Sequence, residues 1–247
     1  MNKVIITGHS KGLGAALTEA VLERGDHVLA ISRSGHEALA GHDRLTEQLL
    51  DLSDSQVVCD WLETGSLAAF LAGAKRAVLI NNAGVVEPIG PPGVQGASNI
   101  ALAVSLNVSA PLMFCDAFVR ITAGAAMPDL TDRRVVHISS GAARNAYAGW
   151  SVYCATKAAL DHHARAVVAD NIANLSIESL APGVIDTQMQ AQIRATSTDR
   201  FPAKERFEAM KRDGALASAQ ASAQVIVKHL YSNQFGQETA SDVRQFS

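Results

Sequence analysis

The chain has 247 residues, 48% of them hydrophobic, and a net charge of −3, enough for one large α/β domain with a continuous core. No basic run marks a nucleic-acid footprint, and the longest apolar stretch, Ile100 to Val119, is broken by Asn107, Pro111 and Asp116, which argues against a membrane span. Cys59, Cys115 and Cys154 are odd in number and lack CxxC spacing, and the short apolar run Val4 to Thr7 is no signal-peptide core, so reduced thiols in a cytoplasmic protein are expected.

Val4 to Thr7 reads as a first strand, running straight into Gly8-His9-Ser10-Lys11-Gly12-Leu13-Gly14 and a helix over about Ala15 to Arg24. Gly25-Asp26 is a turn. His27 to Ser32 is a second strand ending at Arg33, and Leu45 to Leu50 a third, closing on Asp51-Leu52. A helix is expected over Asp54 to Leu71, with Val57, Trp61, Leu62 and Leu67 facing inward. Ala77 to Ile80 is a fourth strand, delivering Asn81-Asn82-Ala83-Gly84.

Val85 to Gly96, with its prolines and glycines, is loop, and a long helix over about Asn99 to Ala123 carries Asn107 midway. Val135 to Ser139 is the fifth strand, followed by a helix that bears Tyr153 and runs to about Asn171. Leu175 to Leu180 is the sixth, stopped by Pro182-Gly183. The polar, proline-interrupted stretch at about 186–215 reads as a mobile lid. A last helix over Ala217 to Tyr231 turns Val225, Ile226 and Leu230 inward, and the tail from Gln234 offers a short edge strand. Alternating helices and apolar strands predict a doubly wound, mostly parallel sheet of about seven strands with helices on both faces.

The glycine run sits between strand and helix, the context that gives such motifs meaning. Gly8 permits the tight turn, Gly12 lets backbone approach a pyrophosphate, and Gly14 allows helix and strand to pack closely. The helix N-terminus adds amide donors, so the stretch Gly8 to Gly14 is a candidate dinucleotide cradle. An acidic residue at the end of the second strand would repel a 2′-phosphate; this chain has Ser32 and Arg33 there, with Lys11 as a second cation. The choice between cofactors is NADP(H).

Tyr153 and Lys157 are four apart and share a helix face, and Ser140 stands at the C-terminal end of the fifth strand, where open parallel sheets bind ligands. An ammonium ~5 Å from a phenol, at an effective dielectric of ~20, favours the phenolate by roughly 3 kcal/mol, or about two pKa units. That brings Tyr153 towards general acid–base work. His162 and His163 are adjacent on a helix and point about 100° apart, a poor ligand pair, and no spacing suggests a metal site. Cys154 is expected to face packing.

These motifs, TGHSKGLG at 7–14, Asp51-Leu52, NNAG at 81–84, Asn107, Ser140, Tyr153-x-x-x-Lys157 and PGVIDT at 182–187, resemble the short-chain dehydrogenases/reductases in their single-domain form. The resemblance implies adenine contacts at Asp51 and Leu52, cofactor contacts at Asn82, Ala83 and Gly84, and a nicotinamide framed by the residues after Pro182-Gly183, Ile185 and Thr187 among them. It also implies a tetrad of Asn107, Ser140, Tyr153 and Lys157. Gly149-Trp150-Ser151 and the Pro88–Pro92 loop look most like the sepiapterin reductase and benzil reductase branch. That branch implies reduction of a ketone or diketone carbonyl on a small cyclic or aromatic substrate, which with the Lys11 and Arg33 reading makes an NADPH-dependent reductase, and it makes Asp242 a candidate substrate anchor. The alternative is a non-catalytic dinucleotide sensor or scaffold on the same fold. By the same resemblance the chain self-associates as a homodimer or homotetramer through the helices bearing Asn107 and Tyr153, where Ala155, Ala158, Ala159 and Ala166 permit close approach.

Overall fold

Each run expected as a strand is one in the computed structural model, which describes residues 1–123 and 127–246. The strands are β1 (Asn2–Thr7), β2 (His27–Ser32), β3 (Leu45–Leu49), β4 (Arg76–Asn81), β5 (Asp132–Ile138), β6 (Leu175–Ala181) and β7 (Ala240–Asp242). They form one sheet in the order β3-β2-β1-β4-β5-β6-β7, with every pairing parallel. The short tail strand is therefore present, paired with β6. Chain order reverses between β1 and β4, so the C-terminal ends of β1, β4, β5 and β6 flank the crevice where such sheets take ligands.

Continuous burial along β1 and β4 demands cover on both faces. Val4 and Ile6 face a core shared with α1 (Gly12–Glu23) and α9 (Ala219–Leu230), while Ile5 points the other way, into a core closed by α2 (Ser55–Leu62), α3 (Ser66–Leu71), α5 (Ala110–Thr122) and α6 (Ser151–Ala169). Phe114 and Phe118 of α5 fill that second layer.

Four expectations need correction. The helix expected over Asp54–Leu71 is two helices, α2 and α3, because Gly65 sits between them at φ 79°, outside the helical region. The Asp54 side chain caps α2 on the amides of Gln56 and Val57, and with that start Val58 is buried and Val57 is exposed. The long helix is α4 (Ala97–Val104) and α5 joined by a π-helical turn, Ser105–Ser109, which contains Asn107. On α9, Val227 rather than Val225 joins the buried set. The Ala97–Thr122 run is long and apolar enough to cross a membrane by length and composition alone; Asp116 is exposed on it, and Phe114, Cys115 and Phe118 are buried against the sheet.

Candidate active site

Thr7, the last residue of β1, ties the glycine loop to β4. Its hydroxyl accepts the amides of Asn82 (3.0 Å) and Ala83 (3.1 Å), while Asn82 Nδ2 donates to the carbonyls of Thr7 (3.0 Å) and Gly8 (3.1 Å). The glycines are required by contact. A methyl group at Gly14 would stand 2.0 Å from the Gly8 carbonyl oxygen and 2.5 Å from Asn82 Nδ2, and one at Gly8, where φ is +74°, would stand 2.8 Å from Ala83 Cα. Gly12 faces Thr187 across the crevice, its missing methyl 3.5 Å from Thr187 Cγ2. The Lys11 side chain makes no cap on α1, so the first amides of the helix present donors to the loop. A cradle of bare backbone at a helix N-terminus fits the pyrophosphate of a dinucleotide.

The side chains of Leu13, Leu52 and Ile185 are buried in the core, so only their backbones can face a cofactor. The Asp51 carboxylate takes the amide (2.9 Å) and hydroxyl (2.7 Å) of Ser53; these bonds, and then the charge of Arg33, hold it below the usual carboxylate range. Arg33 is exposed at the end of β2. Lys11 does not join it: its ammonium donates to Gln188 Oε1 (2.6 Å) on α7 (Gln188–Ala195), clasping the glycine loop to that helix. Sequence proximity to the glycines said nothing of the direction this side chain takes. The Ser32 hydroxyl bonds the Ser34 carbonyl (2.6 Å) and meets buried His9 Nδ1 (3.0 Å), whose Nε2 meets Glu47 Oε1 (2.7 Å). Glu47, an acid near this end of the site on β3, was not anticipated.

The four tetrad residues converge. Asn107 Oδ1 accepts the Val85 amide (2.8 Å) and its Nδ2 donates to the Val85 carbonyl (2.8 Å) and Thr156 Oγ1 (3.1 Å). It makes these bonds from the π turn Ser105–Ser109. A methyl at Gly84 would touch both Asn107 Oδ1 (3.1 Å) and Lys157 Nζ (3.7 Å), so the NNAG segment lies directly on the tetrad. Ser140 opens a 3-10 turn, Gly141–Ala143, and its hydroxyl accepts the Ala142 amide.

The Tyr153–Lys157 pair departs from expectation. The Lys157 ammonium donates to the Ile138 carbonyl (2.8 Å), lies 5.8 Å from the Tyr153 ring centroid, and is pulled down to about 8 by burial. Burial pushes the Tyr153 phenol up to about 12, and the neighbour that draws it down is Ser140. Desolvation of the phenolate outweighs the Coulomb attraction that the four-residue spacing promised. In this fold Tyr153 is a neutral phenol at pH 7.

The stretch expected as a lid forms two helices, α7 and α8 (Lys204–Arg212), and the link between them is anchored by aromatic rings. Phe201, fully buried, stacks on Trp150 with centroids 4.4 Å apart, and Trp150 meets the Tyr153 ring edge-on at 5.4 Å. Phe207 and Tyr147 complete the cluster, and Trp150 Nε1 is buried without a partner. A methyl at Gly149 would collide with the Arg200 carbonyl at 2.2 Å, so only glycine allows the Arg200–Phe201 backbone to sit this close. One cleft of about 540 Å³ runs beside Ser10, Lys11, Gly12 and Asp186, and a second of about 380 Å³ opens between the Pro88 loop and Arg200; Tyr153 lines neither. The aromatic cluster was missed because Phe201 and Phe207 lie in an otherwise polar stretch, which was itself the signal.

Asp242 ends β7 with its carboxylate on Arg244 Nε (2.7 Å) and Nη2 (2.6 Å). His163 Nδ1 meets His137 Nε2 at 3.1 Å, and Cys115 joins them so that the three ligand atoms lie within 4.8 Å of one another. The three lie far apart in the chain, so no sequence spacing joins them. Cys115 is a thiol raised to about 12 by burial, and His137 is held neutral, lowered to about 3. Cys154 is half-buried, packed beside the aromatic cluster as expected.

Residues 2–198 match the family model described as short chain dehydrogenase. The chain is 35% identical over 252 residues to benzil reductase ((S)-benzoin forming) of Bacillus cereus, an alignment covering 96% of this chain and 97% of that one. It is 29% identical over 245 residues to mouse sepiapterin reductase, covering 94% and 92%. Among solved structures, a short-chain dehydrogenase/reductase from Burkholderia vietnamiensis is similar at 45% identity with a TM-score of 0.70, over 100% of this chain and 98% of that one.

Proposed function

The chain belongs to the short chain dehydrogenase family of NAD(P)(H)-dependent oxidoreductases, and we propose that it uses NADPH to reduce a ketone or diketone carbonyl, on a small cyclic or aromatic substrate, to an alcohol. The observation that carries this reading is the placement of the buried Tyr153 phenol on α6, with Lys157 one turn on and Ser140, just past the end of β5, in hydrogen-bonding reach. A binding-only sensor has no use for such a phenol. The likeness to benzil and sepiapterin reductases favours aromatic or cyclic carbonyls.

The glycine loop, Asn82, Ala83, Gly84 and Thr187 would hold the dinucleotide, and Arg33 would pair with a 2′-phosphate. When bound, that cofactor supplies hydride to the carbonyl carbon. Ser140 and Tyr153 donate hydrogen bonds to the substrate oxygen, where negative charge grows, and Tyr153 then gives up its proton there. The Lys157 ammonium, fixed on the Ile138 carbonyl, favours the phenolate left behind, and Asn107 anchors the Val85 backbone next to the NNAG segment. Lid helices α7 and α8 shield the reaction from water through Phe201 and Trp150. Ala155 and Ala166 are exposed on α6, as are Leu102 and Val104 on α4, a face suited to a second copy in a homodimer or homotetramer. The test is a panel of diketones, pterins, quinones and simple ketones scored by NADPH oxidation. Turnover of one or more aromatic diketones or pterins is expected; no oxidation with any compound would reject the reading.

A further inference from the structure

We propose that Asp161 is a positioning residue for this chemistry, a buried carboxylate that sets where Ser140 stands against Tyr153 and Lys157. The proposal rests on the reading of the site as a carbonyl reductase. Asp161 is 2% exposed and lies on α6 one turn beyond Lys157. Its Oδ1 accepts the hydroxyls of Ser139 (2.6 Å) and Ser179 (2.7 Å), and its Oδ2 accepts Arg144 Nε (2.9 Å). Arg144 in turn donates to the Ser241 carbonyl (3.0 Å).

Ser140 lies between the two groups so held. Ser139 immediately precedes it, and Arg144 closes the 3-10 turn that Ser140 opens. Both ends of the segment carrying Ser140 are thus drawn onto one carboxylate of the helix that carries Tyr153 and Lys157. Ser179 and Ser241 extend the same hold to β6 and β7. A buried carboxylate is costly, and an apolar side chain of similar volume is often no worse for stability. Here each oxygen is engaged, in bonds of the strong, charge-assisted kind, which is the condition for holding a geometry rigidly.

Asp161 also acts through its charge. It is the acid that favours the Lys157 ammonium against burial, while the other titratable groups near that ammonium, Tyr153 and His137, are neutral at pH 7. Removing the carboxylate leaves the ammonium without that support. Removing Arg144 leaves the carboxylate in place. The two substitutions therefore affect Lys157 differently, which simple loosening of the fold does not.

The experiment compares Asp161→Asn, Ser139→Ala and Arg144→Gln with wild type, using NADPH and the best substrate of the panel. Tyr153→Phe runs in parallel. Thermal unfolding and NADPH affinity by fluorescence titration are measured on each. A displacement of about 1 Å at a reacting group can cost up to about 10²-fold. Asp161→Asn is expected to lower kcat by about tenfold or more, with KM and NADPH affinity within about threefold of wild type. Its alkaline limb in kcat/KM should move to lower pH, and that of Arg144→Gln should not. Ser139→Ala should lower kcat several-fold while the unfolding temperature falls by only a few degrees, the loss of one hydrogen bond. If Asp161→Asn does not fold, lowered kcat in both other variants with NADPH affinity kept supports the proposal. Wild-type kcat in those two, or an alkaline limb unmoved in a folded Asp161→Asn, overturns it. Full activity in Tyr153→Phe instead overturns the underlying reading, and the proposal with it.

Discussion

Gly14 offers the sharpest structural perturbation. In Gly14→Ala the added methyl would lie 2.0 Å from the Gly8 carbonyl oxygen and 2.5 Å from Asn82 Nδ2. The oxygen is backbone, so the overlap can be relieved only by moving the glycine loop off α1 or α1 off the sheet. Either motion stretches the two bonds from Asn82 to Thr7 and Gly8, worth about 1 kcal/mol each. Overpacking a fitted contact adds about 1–3 kcal/mol. The total is about 3 kcal/mol or more, and at about 2–4 °C per kcal/mol for a chain of this size the unfolding temperature should fall by at least about 6 °C. NADPH affinity should fall with it, since the loop that moves is the cradle. Gly141→Ala is the control: a methyl there meets nothing within 4 Å. The assay is differential scanning fluorimetry with and without NADPH. Gly14→Ala melting within about 1 °C of wild type would refute the contact argument.

Arg33→Asp should lower kcat/KM with NADPH by about tenfold or more while sparing NADH, because the cation is exchanged for an acid beside Asp51; equal losses with both cofactors would remove Arg33 from the 2′-phosphate site. His137 is neutral when folded, its pKa depressed to about 3 from an unfolded value near 6.5, so the unfolded chain binds the extra proton between those limits and stability falls as pH drops through that window. At pH 5 the loss is about 2 kcal/mol, and His137→Gln should flatten the pH dependence of urea unfolding between about pH 4 and 6; an unchanged slope would assign the acid sensitivity elsewhere. Phe201→Ala removes a fully buried ring stacked on Trp150, worth about 3–5 kcal/mol, so the unfolding temperature should fall by at least about 6 °C; melting within about 1 °C of wild type would show that the ring cluster does not anchor this segment.

The strands were legible because parallel strands buried on both faces are written as continuous apolar runs, and the cradle because glycine between strand and helix has a steric reason. The tetrad was legible as a set of residue types at the ends of those elements. Errors arose where direction or environment decides. Lys11 sits among the glycines yet reaches Gln188, and Tyr153 is governed by desolvation, a property of packing that a four-residue spacing does not contain. Gly65 splitting a helix was readable in principle, but the phase that buries Val58 depends on the cap at Asp54. Asp161, Phe201 and the Cys115–His137–His163 group acquire meaning only from partners on other elements, which no local pattern announces.

The central claim is that Tyr153 is the proton donor to a substrate carbonyl. Its most direct test is Tyr153→Phe, with the fold confirmed by circular dichroism and NADPH affinity by fluorescence, assayed for turnover on the best substrate of the panel. The account predicts turnover lower by about 10²–10⁴-fold, with NADPH affinity little changed. Turnover within about threefold of wild type would contradict it.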